Sequence, residues 1–395
     1  MGISIRGKIE NSILLYALIA LSCMNFLGRG SIVFLVCALI GFFMINSSLR
    51  VDRSFAVIAI TSLAMMVTAL MHYGINEAIK VLNFMLLYLL FYNGYACATN
   101  KIKFIKRTIF SIFAGFAFFI VYTYVYNLNI DTPDWQRIIY SPWTGEEAAV
   151  TLVGLLSAVV IGYSFYAVFC QRKIWLKLLA IASLIIMFLV NIDTATRTPI
   201  ILSIILFVVM YSINLISLKG HASIKSVVVL MLLVCAIFVI YFTDAFGIRT
   251  MLLESPLFER FEEIGTETSR WEINKEHAEH MFEHLWGGGG VSEQTDTTPH
   301  NYIQEGHDRY GIIAFFGLIL MTYYFIKNIV SLIKIKDKKP IDILFISMYL
   351  SMLIQMLLEP VFTGYPIIIM ALIVIHALAS GYLKNRQEAL ESEGI

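Results

Sequence analysis

The side chains able to do chemistry in this chain sit where apolar runs give way to polar loops: Arg137, Asp193, Arg197, Arg270, His300, Asn301, Glu305, Arg309 and Glu359. A guanidinium offers a planar fork that grips a phosphate in two places. An imidazole can take a proton from a hydroxyl near neutral pH. Arg197 lies in NIDTATRTPIILSIILF, with Pro199 suited to a helix N-terminus, so cation and free backbone N–H groups would coincide there. The plainer alternative is an arginine snorkelling to the interface and paired with Asp193, four residues back. His300 opens HNYIQEGHDRYGIIAFFGL and would serve as general base, or else form a capping pair with Asn301. His277, His280 and His284 share a helical face and could ligate a metal. That face is expected to look at solvent, and no metal site is assigned. Glu305 and Glu359 are the carboxylates available for a covalent route.

These residues need elements to hold them, and the composition says which kind. Of 395 residues 58% are hydrophobic and 14% charged, with mean hydropathy +0.77. A soluble fold of this size could not hide so much apolar surface, so the surplus faces lipid. A net charge of +1 supplies no field for nucleic acid. The five cysteines, Cys23, Cys37, Cys97, Cys170 and Cys235, all fall in apolar runs without metal-ligand spacing, which argues against a disulfide framework. No small-residue cleavage site follows the first apolar run, so that run is expected to remain as an anchor.

Runs long enough to cross about 30 Å of hydrocarbon recur at 11–28, 31–47, 54–73, 76–98, 108–127, 147–170, 174–192, 198–218, 224–245, 310–333, 341–359 and 364–383. The expected fold is an all-α polytopic membrane protein of about twelve transmembrane helices. Alternating them from a cytoplasmic N-terminus puts 20 of the 29 Lys and Arg inside, in line with the positive-inside rule. The short outer connections hold only Arg29, Lys80, Arg137 and Arg197, and the long loop holds five more. Both termini are then cytoplasmic. The organisation reads as helices one to nine over 1–245 with an outer loop at 128–146, a large outer loop at 246–309, and three helices plus a tail over 310–395.

The large loop carries five of the eight histidines. Long ordered loops in compact proteins usually carry function. Within it RWEINKEHAEHMFEHL, 270–285, has helical periodicity, with Trp271, Asn274, Ala278, Met281, Phe282 and Leu285 on one face. Thr268 or Ser269 would cap it, and Gly287 to Gly290 would end it. The pattern predicts an amphipathic helix on the membrane surface or over the bundle. The four glycines are either a flexible stop or a place where backbone comes close to a substrate.

Taken together these segments resemble the O-antigen ligase and polymerase family of bacterial polysaccharide assembly. The family's ligase pattern is a His followed by Asn, Ser or Gln, nine residues, Gly, two residues, and Gly, Thr or Tyr. Here His300-Asn301 is followed after nine residues by Gly311, with Ala314 at the last position. TSRWEINKEHAEHMFEHLWGGGG is similar to the family's Arg-Trp helix and glycine turn, which maps one arginine onto Arg270. TATRTPIIL is similar to its helix start, which maps another onto Arg197, and Arg137 corresponds to a third. The resemblance spans roughly 130–380.

It implies a GT-C-like inner-membrane glycosyltransferase of lipopolysaccharide biosynthesis with a periplasmic active site and no cofactor. Such an enzyme moves a polysaccharide from undecaprenyl diphosphate to a lipid A-core hydroxyl, metal-independent and inverting. Arg197 and Arg270 would stabilise the departing diphosphate and His300 would act on the acceptor hydroxyl. Arg137, Asn301, Glu305 and Arg309 would bind substrate. A repeat-unit polymerase on the same carrier would use the same arginines. A polysaccharide flippase would show internal pseudo-symmetry and a polar central cavity, and a scaffold without chemistry would leave the outer arginines unexplained.

Overall fold

In hydrocarbon an unpaired backbone N–H or C=O costs several kcal/mol, so apolar runs satisfy themselves as helices. The computed structural model describes residues 9–45, 49–128, 130, 138–217, 242–244, 247–255, 257–258 and 270–392. In chain order its helices are α1 (Ile13–Cys23), α2 (Gly30–Met44), α3 (Arg53–His72), α4 (Ile75–Cys97), α5 (Lys101–Leu128), α6 (Thr151–Cys170), α7 (Ile174–Asp193) and α8 (Thr198–Ser217). They continue with α9 (Ile248–Leu253), α10 (Arg270–His280), α11 (Gly290–Thr295), α12 (Tyr302–Lys334), α13 (Pro340–Met356) and α14 (Ile367–Ser392). A two-stranded antiparallel hairpin, β1 (Ile138–Tyr140) and β2 (Glu147–Ala149), joins α5 to α6.

Among the described residues, α3 to α7, α12 and α14 are long and apolar enough to cross a membrane, and α1, α2, α8 and α13 are shorter apolar helices. They coincide with eleven of the twelve expected runs. The ninth, 224–245, lies outside the described residues except for 242–244, and Arg137, Thr268 and Ser269 also lie outside them. Two boundaries differ from the sequence reading for visible reasons. The first run stops at Cys23, because Asn25 and Leu27 take left-handed backbone angles in the turn before α2. The fifth begins at Lys101 rather than 108, since its basic first turns are helical although too polar for the bilayer core.

Burial sorts the helices. The most apolar windows of α6 and α14 are 83% buried, whereas those of α7, α3 and α12 are 28%, 33% and 33% buried. The first pair is therefore the centre of the bundle, and the second group shows Ile, Leu and Phe side chains outward, as lipid-facing helices do. Small residues allow close approach at the centre. The Ser347 hydroxyl of α13 donates to the Gly162 carbonyl of α6 at 2.6 Å.

The expected boundary at 309/310 coincides with a break inside α12, where Gly311 has φ +83° and ψ −175°. A side chain there would also strike the Leu285 carbonyl, 2.6 Å from the Cβ position. The partner of this kink is the glycine turn, whose Gly287, Gly288 and Gly289 all have positive φ. Gly288 N–H donates to the Arg309 carbonyl at 3.0 Å, Gly289 N–H to that of Asp308 at 2.8 Å, and Ile312 N–H to that of Leu285 at 2.9 Å. The glycines thus allow close backbone approach, but to the protein's own kink. Asp308 finishes the joint by accepting from Val291 N–H, Ser292 N–H and the Ser292 hydroxyl, which caps α11.

This joint predicts a position-specific cost. Gly311→Ala should destabilise the protein by about 1–3 kcal/mol, the cost of a residue held in a glycine-only backbone region, and more where the clash adds. Gly145→Ala, also at positive φ (+68°) but with open space around it, should cost less. Thermal unfolding in detergent checks the order, and equal losses would contradict it.

Candidate functional site

Four separate pieces of chain meet around one carboxylate. Glu359, in the turn after α13, has a side chain only 4% exposed. A charge this buried needs partners, and it has them. Arg270, the first residue of α10, brings Nη2 to 2.6 Å from Glu359 Oε1. Arg270 Nη1 also donates to the Leu358 carbonyl at 3.2 Å and reaches the Thr198 hydroxyl at 3.4 Å. Thr198 donates to the same Oε1 at 3.3 Å. From a fourth direction His300 places Nδ1 3.9 Å from Glu359 Oε2. The His300 and Arg270 side chains keep 26% and 28% of their surface exposed, so both remain reachable from outside while Glu359 does not.

Local structure fixes each member. His300 N–H donates to Asn274 Oδ1 at 2.8 Å, and Gln304 Nε2 donates to the Asn274 carbonyl, so α10 holds the start of α12. Asn301 caps α12, accepting from Gln304 N–H and bonding the Gln304 side chain. Glu305 is wholly buried and accepts from the N–H groups of Val361, Phe362 and Thr363 and from the Thr363 hydroxyl. It therefore anchors the turn directly after Glu359. At the α7–α8 turn Asn191 donates to Ser157 Oγ and accepts from the Thr196 hydroxyl at 2.5 Å. That network sets Arg197 at the helix start, next to Thr198. Asp193, the partner suggested by spacing, accepts from the Tyr124 hydroxyl at 2.8 Å.

Arg309 belongs to a separate cluster. Its Nη2 lies 3.3 Å from Glu77 Oε1, and its guanidinium sits 4.5 Å from the Tyr73 ring centre. Glu77 also accepts from Lys80 and from the Tyr310 hydroxyl, both at 2.7 Å. Beside this cluster a cavity of about 540 Å³ opens between the end of α3 and the glycine turn, walled by Val67, Met71, His72, Leu285, Trp286 and Ile313 among others. Its walls are largely apolar, and it lies at the same end of the bundle as His300.

The loop helix corrects the sequence reading. It ends at His280 rather than Leu285, and its buried residue is His277 from the expected polar face, whereas Trp271 and Ala278 of the expected apolar face are exposed and Met281, just past the helix end, is buried. His277, 2% exposed, bonds the Thr297 carbonyl at 3.1 Å, while Trp271 and Phe282 are 76% and 67% exposed. Polar contacts to Glu359, His300 and Thr297 set the rotation of the helix. Trp271, Phe282 and Trp286 are left outward, a composition suited to a membrane interface. His280 bonds Glu283, and His284 bonds Gln294. The hydrogen bonds from His280 and Gln294 hold the Glu283 carboxyl below the usual range. Among the described residues no group of three His, Cys, Asp or Glu side chains is disposed to hold a metal.

Comparison with known proteins finds no matching family model and no matching curated protein. Sequence reasoning picks out Arg270, Arg197 and His300, and the structure brings Arg270 and His300 onto one carboxylate with Arg197 at the adjoining position. It reads Glu359 only as a possible nucleophile and misses Thr198 and Asn274. The available signal was a lone acid ending the apolar run at 341–359.

The pair also predicts a thermodynamic signature. Arg270→Ala strands a buried carboxylate and should lower stability by about 1–3 kcal/mol, below the full cost of breaking a buried pair because the arginine is partly exposed. Adding Glu359→Gln should restore part of that loss. A double-mutant cycle by thermal unfolding in detergent measures it, and strictly additive effects would show that the two do not interact.

Proposed function

We propose that this chain is a glycosyltransferase of the O-antigen ligase type. In this reading it moves a polysaccharide from undecaprenyl diphosphate to a hydroxyl of a lipid A-core acceptor at the periplasmic face of the inner membrane. The observation that carries it is the meeting of Arg270 and His300 on buried Glu359, with Arg197 at the adjoining helix start.

The chemistry follows from the charges. The bond between the anomeric carbon and the diphosphate oxygen breaks, and negative charge grows on the leaving group. Arg270 and Arg197 neutralise that charge, which is the electrostatic work a divalent cation does in other transferases. The acceptor oxygen attacks from the opposite side, and its proton passes to His300. Glu359 faces His300 Nδ1 and favours the tautomer with the proton there, leaving Nε2 as the base, as an acid orients the histidine in hydrolytic triads. The 3.9 Å separation is of the kind that tightens when substrate binds.

Glu359 is too enclosed to reach a sugar, which favours a single inverting displacement over a covalent intermediate. Asn301 and Glu305 then position the site rather than touch substrate, and Arg309 stands apart in the Glu77 cluster. The apolar cavity beside Arg309 and the outward aromatic row suit a substrate whose carrier stays in the membrane.

Purified protein with lipid-linked glycan and lipid A-core should form the joined product. His300→Ala should cut the rate by about 10²–10⁴-fold, the usual contribution of a general base. Arg270→Lys, which keeps the charge but loses the fork, should also be strongly impaired while still folding. Undiminished transfer in either variant would refute the reading. Loss of the chain in cells should leave long glycans on the carrier lipid. Single repeats attached to lipid A-core would instead identify a repeat-unit polymerase.

A further inference from the structure

At the far end of the bundle a second polar site is built from elements that play no part in the His300 cluster. Along α14 the distance from Ile367 to Lys384 is about 25 Å at 1.5 Å per residue, close to the thickness of the hydrocarbon. There the chain just before α3, the ends of α4 and α14 and the start of α5 line an open pocket of about 50 Å³. Arg50, Lys101 and Lys384 line it with Tyr92, Tyr95 and Asn385, and Glu388 stands at the same pocket. Three cations face one carboxylate.

The pocket is preorganised. Asn93, fully buried on α4, clamps the Arg50 peptide from both sides, accepting its N–H at 2.6 Å and donating to its carbonyl at 3.0 Å. Lys101 is held by Asn385 Oδ1 at 2.7 Å and sits 5.4 Å from the Tyr95 ring centre. Tyr95 packs directly on Gly381, where a Cβ would come within 2.7 Å of the ring. The Arg50 and Lys384 side chains are exposed and, among the described residues, neither has an ion pair. A tight clamp on the backbone of an arginine with a free guanidinium is wasted on solvation and well suited to a fixed anion.

We propose that this pocket binds the phosphate of an anionic phospholipid headgroup, drawn from the leaflet opposite the His300 cluster. The volume matches one compact tetrahedral anion such as a phosphate group, with the rest of its molecule lying outside. The two tyrosines give the pocket an amphipathic wall of the type found at headgroup depth. Basic pockets between transmembrane helices on the cytoplasmic side bind lipid headgroups in this way, and the basic ends of the helices mark this end as cytoplasmic. The proposal does not depend on the glycosyltransferase reading.

The test uses the full chain in nanodiscs of phosphatidylcholine alone or of equal parts phosphatidylcholine and phosphatidylglycerol. Native mass spectrometry reads the retained lipids, and thermal unfolding reads their effect. Phosphatidylglycerol should be retained selectively and raise the unfolding temperature. The Arg50→Gln/Lys384→Gln variant should weaken that binding about thirtyfold, from the usual worth of two cations at an anionic surface. It should unfold like the parent in phosphatidylcholine. Arg172→Gln/Lys173→Gln, which removes two exposed cations from the α6–α7 connection at the same end, should bind like the parent. Three results would overturn the proposal: equal retention of both lipids, equal weakening by the two variants, or protection in phosphatidylcholine by inorganic phosphate alone.

Discussion

A buried carboxylate cannot sit uncompensated, and one end of this molecule is arranged around one that does not have to. Glu359 is enclosed by the turn after α13, so its charge requires donors from neighbouring elements. Arg270, Thr198 and His300 arrive from α10, α8 and the start of α12. The requirement for compensation thus docks the loop helix onto the bundle. It also explains why the helix turns its polar side inward and its tryptophan outward, against its hydrophobic pattern.

A second constraint acts on the backbone. The loop returns to the bundle through a helix that breaks at Gly311, and the break exposes carbonyls that need donors. The glycine turn supplies them, since only residues without a Cβ fit against the kink in that conformation. Histidine and kink glycine lie at opposite ends of one short helical stretch. Their fixed spacing in the chain is therefore a distance requirement: His300 must reach Glu359 while Gly311 seats on the turn, with Glu305 between them fixing the 361–363 backbone. In this reading the spaced motif is as much about architecture as about chemistry.

Both ends of the bundle pair cations with buried acids, Arg270 with Glu359 and Arg309 with Glu77 at one, Arg386 with Asp342 at the other. At the second end Arg50 and Lys384 also stand exposed at a tyrosine-walled pocket. Pairing fixes where a guanidinium points. Unpaired cations keep their field for an external anion. Rigid pairing suits positioned chemistry, and an open basic pocket suits a lipid surface.

Much of this was legible in the sequence alone. Apolar run length located eleven described helices, because the bilayer sets a minimum length and forces backbone self-pairing. The polar residues ending those runs, Arg197, Arg270, His300 and Glu359, were visible for the same reason: charges are costly there and stand out. Hydrophobic periodicity failed for the loop helix, since specific polar contacts to Glu359, His300 and Thr297 outweighed its apolar stripe. Only the tertiary structure decided which acid receives Arg270, that Glu305 serves the backbone, and that the glycines face Gly311. Those are contacts between residues tens to hundreds of positions apart, and no local spacing records them.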